Sequence, residues 1–133
     1  MDYNQEANME KCNITKIITK YFKAVCDAYS LGNVESSYNA PIMALFMDIG
    51  CAARDLSGER KGQSGENIDI KLWHTEEEVT ETEPFAGVEV KKVCGIDKRA
   101  LSQIKIEADR YGNAILTDNI EWRFWRAGDT EMY

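Results

Sequence analysis

The spacing of apolar residues constrains this chain most, because it changes from a helical period to a strand period along the sequence. Between residues 14 and 29 the apolar side chains recur every three or four positions, which indicates an amphipathic helix. A second helical pattern covers about residues 36–51, and Pro41 must lie in its first turn or kink it. We therefore predict two helices in the first part of the chain.

After residue 66 the apolar residues recur at every second position, as in strands with one polar and one apolar face. Residues 67–73 (NIDIKLW) and 85–93 (FAGVEVKKV) predict two strands, and the glutamate-rich stretch between them predicts a solvated hairpin loop. Residues 97–111 return to helical spacing, and residues 114–117 and 121–125 predict two short strands joined by a turn. The predicted order is helix, helix, strand, strand, helix, strand, strand.

This order predicts an α/β fold with a mixed central β-sheet flanked by helices. We expect the first two strands to pair as a hairpin, and the helix at 97–111 to cross over to the next strand. A length of 133 residues is typical of one domain, so we predict a single domain over 1–133.

Composition favours a soluble, cytoplasmic protein with no membrane partner. No stretch approaches the roughly 20 apolar residues that span a bilayer, and the polar start of the chain is unlike a signal peptide. The four cysteines are widely separated, which favours reduced thiols over a disulfide or metal framework. A formal net charge of −7 predicts weak DNA binding by this chain alone, with affinity supplied by a cation or by another domain.

Three charged residues on the predicted hairpin give the strongest indication of chemistry. Asp69 lies on the first strand, and Glu89 and Lys91 lie on the second. Residues two apart on a strand project from the same face about 7 Å apart, and pairing of the strands would bring Asp69 alongside Glu89. Two carboxylates and a lysine suit a magnesium-dependent hydrolase, because hard cations take oxygen ligands. The alternative is that the three residues form ordinary ion pairs on the solvated face of the sheet.

The surrounding segments also resemble a known family. They resemble the N-terminal nuclease domain of single-chain restriction-modification enzymes of the type IIG or type ISP-like kind, in which a PD-(D/E)xK nuclease is fused to an adenine-specific DNA methyltransferase. The segments that carry the likeness are GERKGQSGENIDIKLW, FAGVEVKK and NAILTDNIEWRFW, together with the helix that contains Gln103 and Arg110-Tyr111. The likeness begins at Glu35-Ser36-Ser37-Tyr38 and covers residues 35–126, which leaves 1–34 as an N-terminal helical segment.

The resemblance implies a restriction-endonuclease-like core and a Mg²⁺-dependent DNA endonuclease, with Mn²⁺ as a substitute ion. It implies that Asp69 and Glu89 are the metal ligands, that Lys91 is the catalytic lysine, and that Glu35 completes the acidic cluster. The residues that it places near DNA are Gln103, Arg110 and Tyr111. The sequence departs from the family pattern in having Ile68 before Asp69 and a longer interval between Gln103 and Tyr111.

The resemblance also implies partners. The substrate would be double-stranded DNA, and a methyltransferase and target-recognition region would lie in the same or an associated chain. Cutting both strands favours a homodimer on DNA. The negative charge favours an alternative, in which the nuclease fold is catalytically silent and serves as a binding or docking module.

Other polar residues give weaker indications. Glu59 and Glu66 precede Asp69 in a segment rich in glycine and serine, where solvated turn residues are the simplest interpretation and a third acid is the alternative. His74 is interpreted as a surface or loop residue rather than a base. The aromatic residues of the predicted strands are interpreted as core residues rather than base-stacking ones, namely Trp73, Trp122, Phe124 and Trp125.

Overall fold

The computed structural model describes the backbone of residues 3–55 and 69–129, with side chains from residue 13 onward in these ranges. The helices are α1 (Tyr3–Ser30), the 3₁₀ helix η1 (Glu35–Tyr38), α2 (Asn39–Asp48), α3 (Glu78–Glu81) and α4 (Lys98–Tyr111). The strands are β1 (Ala52–Asp55), β2 (Ile70–Trp73), β3 (Ala86–Val90), β4 (Asn113–Thr117) and β5 (Trp122–Arg126). The predictions for Glu59, Glu66 and Ile68 lie outside the described residues. None of the helices in the described ranges combines the length and apolar character needed to cross a membrane.

The five strands form one mixed sheet in the order β1-β2-β3-β4-β5. Strands β1 and β2, β2 and β3, and β4 and β5 pair antiparallel, whereas β3 and β4 pair parallel. The predicted α/β class is confirmed, and so are the hairpin of β2 with β3 and the crossover through α4. Helix α4 begins where Asp97 accepts a hydrogen bond from the Ala100 amide, and it ends at Gly112, whose positive φ of 90° stops the helix.

Alternation along the strands divides the apolar core between the two faces of the sheet. One face packs against α1 and α2 through a cluster that includes Tyr21, Val25, Ile42, Phe46, Ile70, Leu72, Val88, Val90 and Ile115. The other face packs against α4 through Ala100, Ile104, Ala108, Ala114 and Leu116. Glu89 pairs in parallel register with Leu116, so its side chain belongs to the face that α4 covers.

The aromatic residues of β5 divide between the same two faces. Trp122 packs against the α1 and α2 cluster and Trp125 against the α4 cluster, and Trp73 on β2 is buried, so the core interpretation is confirmed for these three residues. It is wrong for Phe124, which lies on the edge strand β5 and is 47% exposed.

The structure differs from the sequence predictions in several places. Helix α1 begins at Tyr3, before the apolar pattern that starts at residue 14. Asp69 directly precedes β2 and Lys91 directly follows β3, although both were predicted to lie on the strands. Strand β1 was not predicted, because it is four residues long and follows almost directly on a helical pattern. The glutamate-rich stretch, predicted as a loop, contains the one-turn helix α3. The second predicted helix is divided into η1 and α2, and Pro41 is the third residue of α2, where a missing backbone N–H is tolerated.

Helix α1 is part of the main core. Tyr21, Val25 and Ala28 are at most 7% exposed and belong to the cluster that covers the sheet. The Tyr21 hydroxyl donates to Asn119, whose Oδ1 lies 3.1 Å away in the turn after β4. The part of α1 from Tyr21 to Ala28 therefore packs on the sheet and reaches the turn that lies beside the end of β3.

Candidate functional site

The predicted site residues meet at the end of β3. Ile70 pairs with Val88, and continuing this antiparallel register by one residue places Asp69 opposite Glu89. The ammonium Nζ of Lys91 lies 3.4 Å from Oε1 of Glu89 and 3.9 Å from Oε1 of Glu35. The structure thus brings all four predicted catalytic side chains together at the C-terminal end of the central strand β3.

Asp69 connects the start of β2 to the end of β3. Its Oδ2 accepts a hydrogen bond of 2.8 Å from the backbone amide of Val90. The pKa of Asp69 is raised to about 6, because burial and the charge of Glu35 outweigh the lowering effects of the Val90 amide and Lys91. Burial thus destabilises the ionised form of Asp69 by more than the Val90 amide and Lys91 stabilise it.

Glu89 is the most perturbed carboxyl group of the cluster. It is 4% exposed, and apart from the carboxyl of Glu107 its Oε2 has no hydrogen-bond partner among the described residues. The pKa of Glu89 is raised to about 9, because burial and the charges of Asp69 and Glu107 outweigh the lowering effect of Lys91. An ionised Glu89 therefore requires more positive charge than Lys91 supplies.

Glu107 is a fifth member of the cluster, which the sequence analysis missed. It projects from α4, is 5% exposed, and lies within hydrogen-bonding reach of Glu89. Its Oε1 accepts from Nε2 of Gln103 at 3.4 Å, while its Oε2 has no partner among the described residues apart from the Glu89 carboxyl. The pKa of Glu107 is raised to about 7, mainly by burial and secondly by the charge of Asp69. The sequence feature that could have identified Glu107 is its position three residues after the buried Ile104, because an acid on the apolar stripe of a helix is unusual.

Lys91 is the cation of the cluster. Burial alone would lower the pKa of its ammonium group, but the charges of Glu89 and Glu35 outweigh this effect and raise it. The side chain keeps 22% of its surface exposed. Lys91 is therefore a protonated donor that lies among carboxylates and still reaches solvent.

The backbone around Lys91 is held by side chains from distant parts of the chain. The Lys91 amide donates to the Thr117 carbonyl at 2.8 Å, and Asn119 Nδ2 donates to the Lys91 carbonyl at 3.2 Å. Asn119 is fully buried with a left-handed φ of 76°. Two residues further, Asn33 bonds both the amide and the carbonyl of Val93. These contacts fix the chain on both sides of the lysine.

The three residues predicted to lie near DNA are distributed along α4. Gln103 joins the cluster through Glu107. Tyr111 lies at the C-terminal end of the helix, where its ring centroid is 5.5 Å from Nζ of Lys71 and 5.4 Å from Cζ of Arg110. Gln103 is therefore beside the carboxylates, whereas Arg110 and Tyr111 lie two turns further along the helix.

A hard divalent cation takes oxygen ligands, which the side chains of the cluster could supply. Within the ranges that the structure describes, no group of three or more His, Cys, Asp or Glu side chains is arranged to hold a metal ion. Magnesium, however, commonly takes only one or two protein carboxylates and completes its shell with water and substrate phosphate oxygens. Glu89 and Glu107 each offer a buried carboxylate oxygen without a partner, so the residues fit Mg²⁺ or Mn²⁺.

The opposite end of the sheet carries different features. His74 is exposed and stacks on Phe85, with ring centroids 4.1 Å apart, away from the carboxylates. A groove of about 460 Å³ lies at the same end, and its lining includes Phe85, Asn113 and Trp125 but none of the clustered acids. The groove is therefore separate from the charged cluster.

Comparisons of the chain with protein-family models, with curated proteins and with solved structures give no match. The restriction-endonuclease-like fold and the endonuclease activity therefore stay predictions, which depend on the residues described above.

Proposed function

We propose that this chain is a Mg²⁺-dependent endonuclease domain with a restriction-endonuclease-like fold, which hydrolyses phosphodiester bonds of double-stranded DNA in a restriction-modification system. The observation that carries the proposal is the convergence of Asp69, Glu89 and Lys91 at one end of a β-hairpin. Carboxyl groups with raised pKa values beside a lysine are typical of sites that perform chemistry.

Asp69 and Glu89 would hold the cation, with Mn²⁺ able to replace Mg²⁺. When bound, the ion supplies Lewis-acid polarisation of the scissile phosphate and lowers the pKa of a water molecule. A cation also suits the electrostatics, because an ionised Glu89 is left with a buried oxygen that no donor satisfies.

Lys91 acts as a protonated hydrogen-bond donor in the proposed reaction. Its ammonium group is held between Glu89 and Glu35, which keep it charged at neutral pH. From this position Lys91 donates a hydrogen bond to the attacking water or to a phosphate oxygen and stabilises the negative charge that develops in the transition state. No covalent intermediate is needed.

DNA binding requires positively charged and polar groups in addition to those of the cluster. The chain carries a net charge of −7, and phosphate binding depends mainly on lysine and arginine. Gln103, Arg110 and Tyr111 on α4 are the proposed contacts to the DNA backbone. A methyltransferase and target-recognition region, in the same or an associated chain, would supply the rest, and two copies would cut the two strands.

Plasmid cleavage at low salt with Mg²⁺ or Mn²⁺ tests the proposal, using the chain alone and together with its neighbouring methyltransferase. Asp69→Ala and Lys91→Ala should abolish nicking, because each removes a group that acts on the reacting phosphate. Asp109→Ala and Lys105→Ala change exposed residues of α4 and serve as charge-matched controls that should cleave like the wild type. Unchanged cleavage by both site variants would show that the site is misassigned.

A docking module is the second candidate, and the glutamate-rich surface favours it. Glu76, Glu77, Glu81 and Glu83 are exposed around α3, at the end of the sheet opposite Lys91. Such a surface suits a basic protein partner. Calorimetric titration with Mn²⁺ separates the two candidates, since a docking module has no reason to bind the ion through Asp69 and Glu89.

A further inference from the structure

Helix α4 brings a third acidic side chain onto the face of the sheet that carries Glu89. Glu107 lies one turn after Gln103 and is 5% exposed, although most glutamates in proteins lie at the surface. It lies within hydrogen-bonding reach of Glu89, which is itself 4% exposed. Two carboxylates from different elements therefore meet in a region with little access to water.

Each of the two carboxylates has one satisfied oxygen and one unsatisfied oxygen. Gln103 Nε2 donates to Oε1 of Glu107, and Lys91 Nζ lies 3.4 Å from Oε1 of Glu89. The Oε2 atoms of Glu89 and Glu107 are buried and, apart from the facing carboxyl group, have no hydrogen-bond partner among the described residues. A buried carboxylate oxygen without a donor is unfavourable, and a pair of them on neighbouring side chains suits a shared cation.

Asp69 differs from these two residues, because its Oδ2 already accepts a hydrogen bond from the Val90 amide. Its position also fixes the ends of β2 and β3 relative to each other. Among the acids of the cluster, Glu89 and Glu107 thus combine deep burial with an unpartnered oxygen.

We propose that Glu107 is a ligand of the divalent cation, so that Glu89 on β3 and Glu107 on α4 would both hold it. This inference rests on the proposed function for the identity of the ion, but it concerns a residue outside the hairpin that carries the Asp69, Glu89 and Lys91 pattern. It makes α4 part of the metal site as well as a cover for the sheet.

Titration of the full chain with Mn²⁺ by calorimetry tests the role of Glu107. Glu107→Gln keeps the size of the side chain and should weaken Mn²⁺ binding by about tenfold or more. Asp109→Asn removes the same charge from an exposed position of α4 and should bind Mn²⁺ like the wild type. Glu107→Asp keeps the charge but withdraws the oxygens by one methylene, so it should also weaken binding. Circular dichroism checks that each variant is folded.

Two outcomes would overturn the inference: no Mn²⁺ binding by the wild-type chain, or equal binding by the wild type, Glu107→Gln and Glu107→Asp. A plasmid-nicking assay with the same variants separates this inference from the proposed function. Binding that depends on Glu107 in a chain that cleaves no DNA would support the metal site and contradict the nuclease. Cleavage and binding that are both indifferent to Glu107 would support the nuclease and contradict the ligand.

Discussion

Replacing Glu107 by glutamine should stabilise the metal-free protein, and the gain should grow with pH. In the folded chain the carboxyl of Glu107 has a pKa of about 7 instead of 4.5, because it is buried and lies near the charge of Asp69. When folding raises the pKa of a carboxyl group, the full contribution of that group to folding stability is present below the pKa of the unfolded state. This contribution is lost as the pH rises through the pKa of the folded state. The wild type should therefore weaken between about pH 5 and pH 8, in the range where the folded pKa lies.

The size of the effect follows from the same shift. At about 1.4 kcal/mol per pKa unit, it corresponds to at most about 3 to 4 kcal/mol above the folded pKa. Glutamine at position 107 is neutral at every pH and can still accept from Gln103. The free energy of unfolding of the variant should thus exceed that of the wild type by about 1 to 3 kcal/mol near pH 8, and by little near pH 5.

Urea denaturation with a chelator, followed by tryptophan fluorescence, measures this difference at the two pH values. Asp109→Asn is the control, and it should show no pH-dependent gain. Saturating Mn²⁺ should reduce the advantage of Glu107→Gln, since an ion bound by the wild type stabilises the folded state by mass action. A variant advantage that is equal at both pH values, or that is larger at the acidic one, would refute the reasoning.

The remaining predictions concern the core, the turn after β4 and the metal site. Ile42→Ala should lower the free energy of unfolding by about 2 to 5 kcal/mol, measured by urea denaturation, because Ile42 is fully buried; a loss below 1 kcal/mol would contradict this packing. Tyr21→Phe should cost about 1 to 2 kcal/mol in the same assay by removing the donor to Asn119, and a neutral result would contradict that bond. The Mn²⁺ affinity measured by calorimetry should fall as the pH is lowered through about 6, because protons compete for the Asp69 carboxylate, and an affinity that does not change with pH would argue against this ligand.

Local pattern was enough to predict the hairpin and its charged residues. Alternation along 67–73 and 85–93 predicted that Asp69 and Glu89 lie on pairing strands, and extending the observed register by one residue beyond Ile70 and Val88 sets them opposite each other. The helix at 97–111 was predicted from its spacing, and its start at Asp97 and stop at Gly112 depend on local capping. These features involve residues close in sequence, whose preferences act without the rest of the fold.

Features that depend on contacts between distant residues could not be predicted. The pattern of α4 marked its apolar stripe, but only the packing of α4 on β3 brings Glu107 to Glu89. Strand β1 has a short sequence with two alanines, and it is a strand because β2 pairs with it. The bond from Asn119 to the Lys91 carbonyl links residues 28 apart, which no local period reveals.

The hydrogen bonds that Asn33 makes to Val93 determine which segment must accompany this site if it is moved to another scaffold. Asn33 accepts from the Val93 amide at 3.0 Å and donates to its carbonyl at 3.2 Å, two residues beyond the lysine. A shortened protein that began at residue 35 would keep every clustered side chain yet lose this anchor, together with the three α1 residues of the main core. Moving the cluster onto another scaffold therefore means carrying the end of α1 with it, or providing another brace for the backbone that follows Lys91.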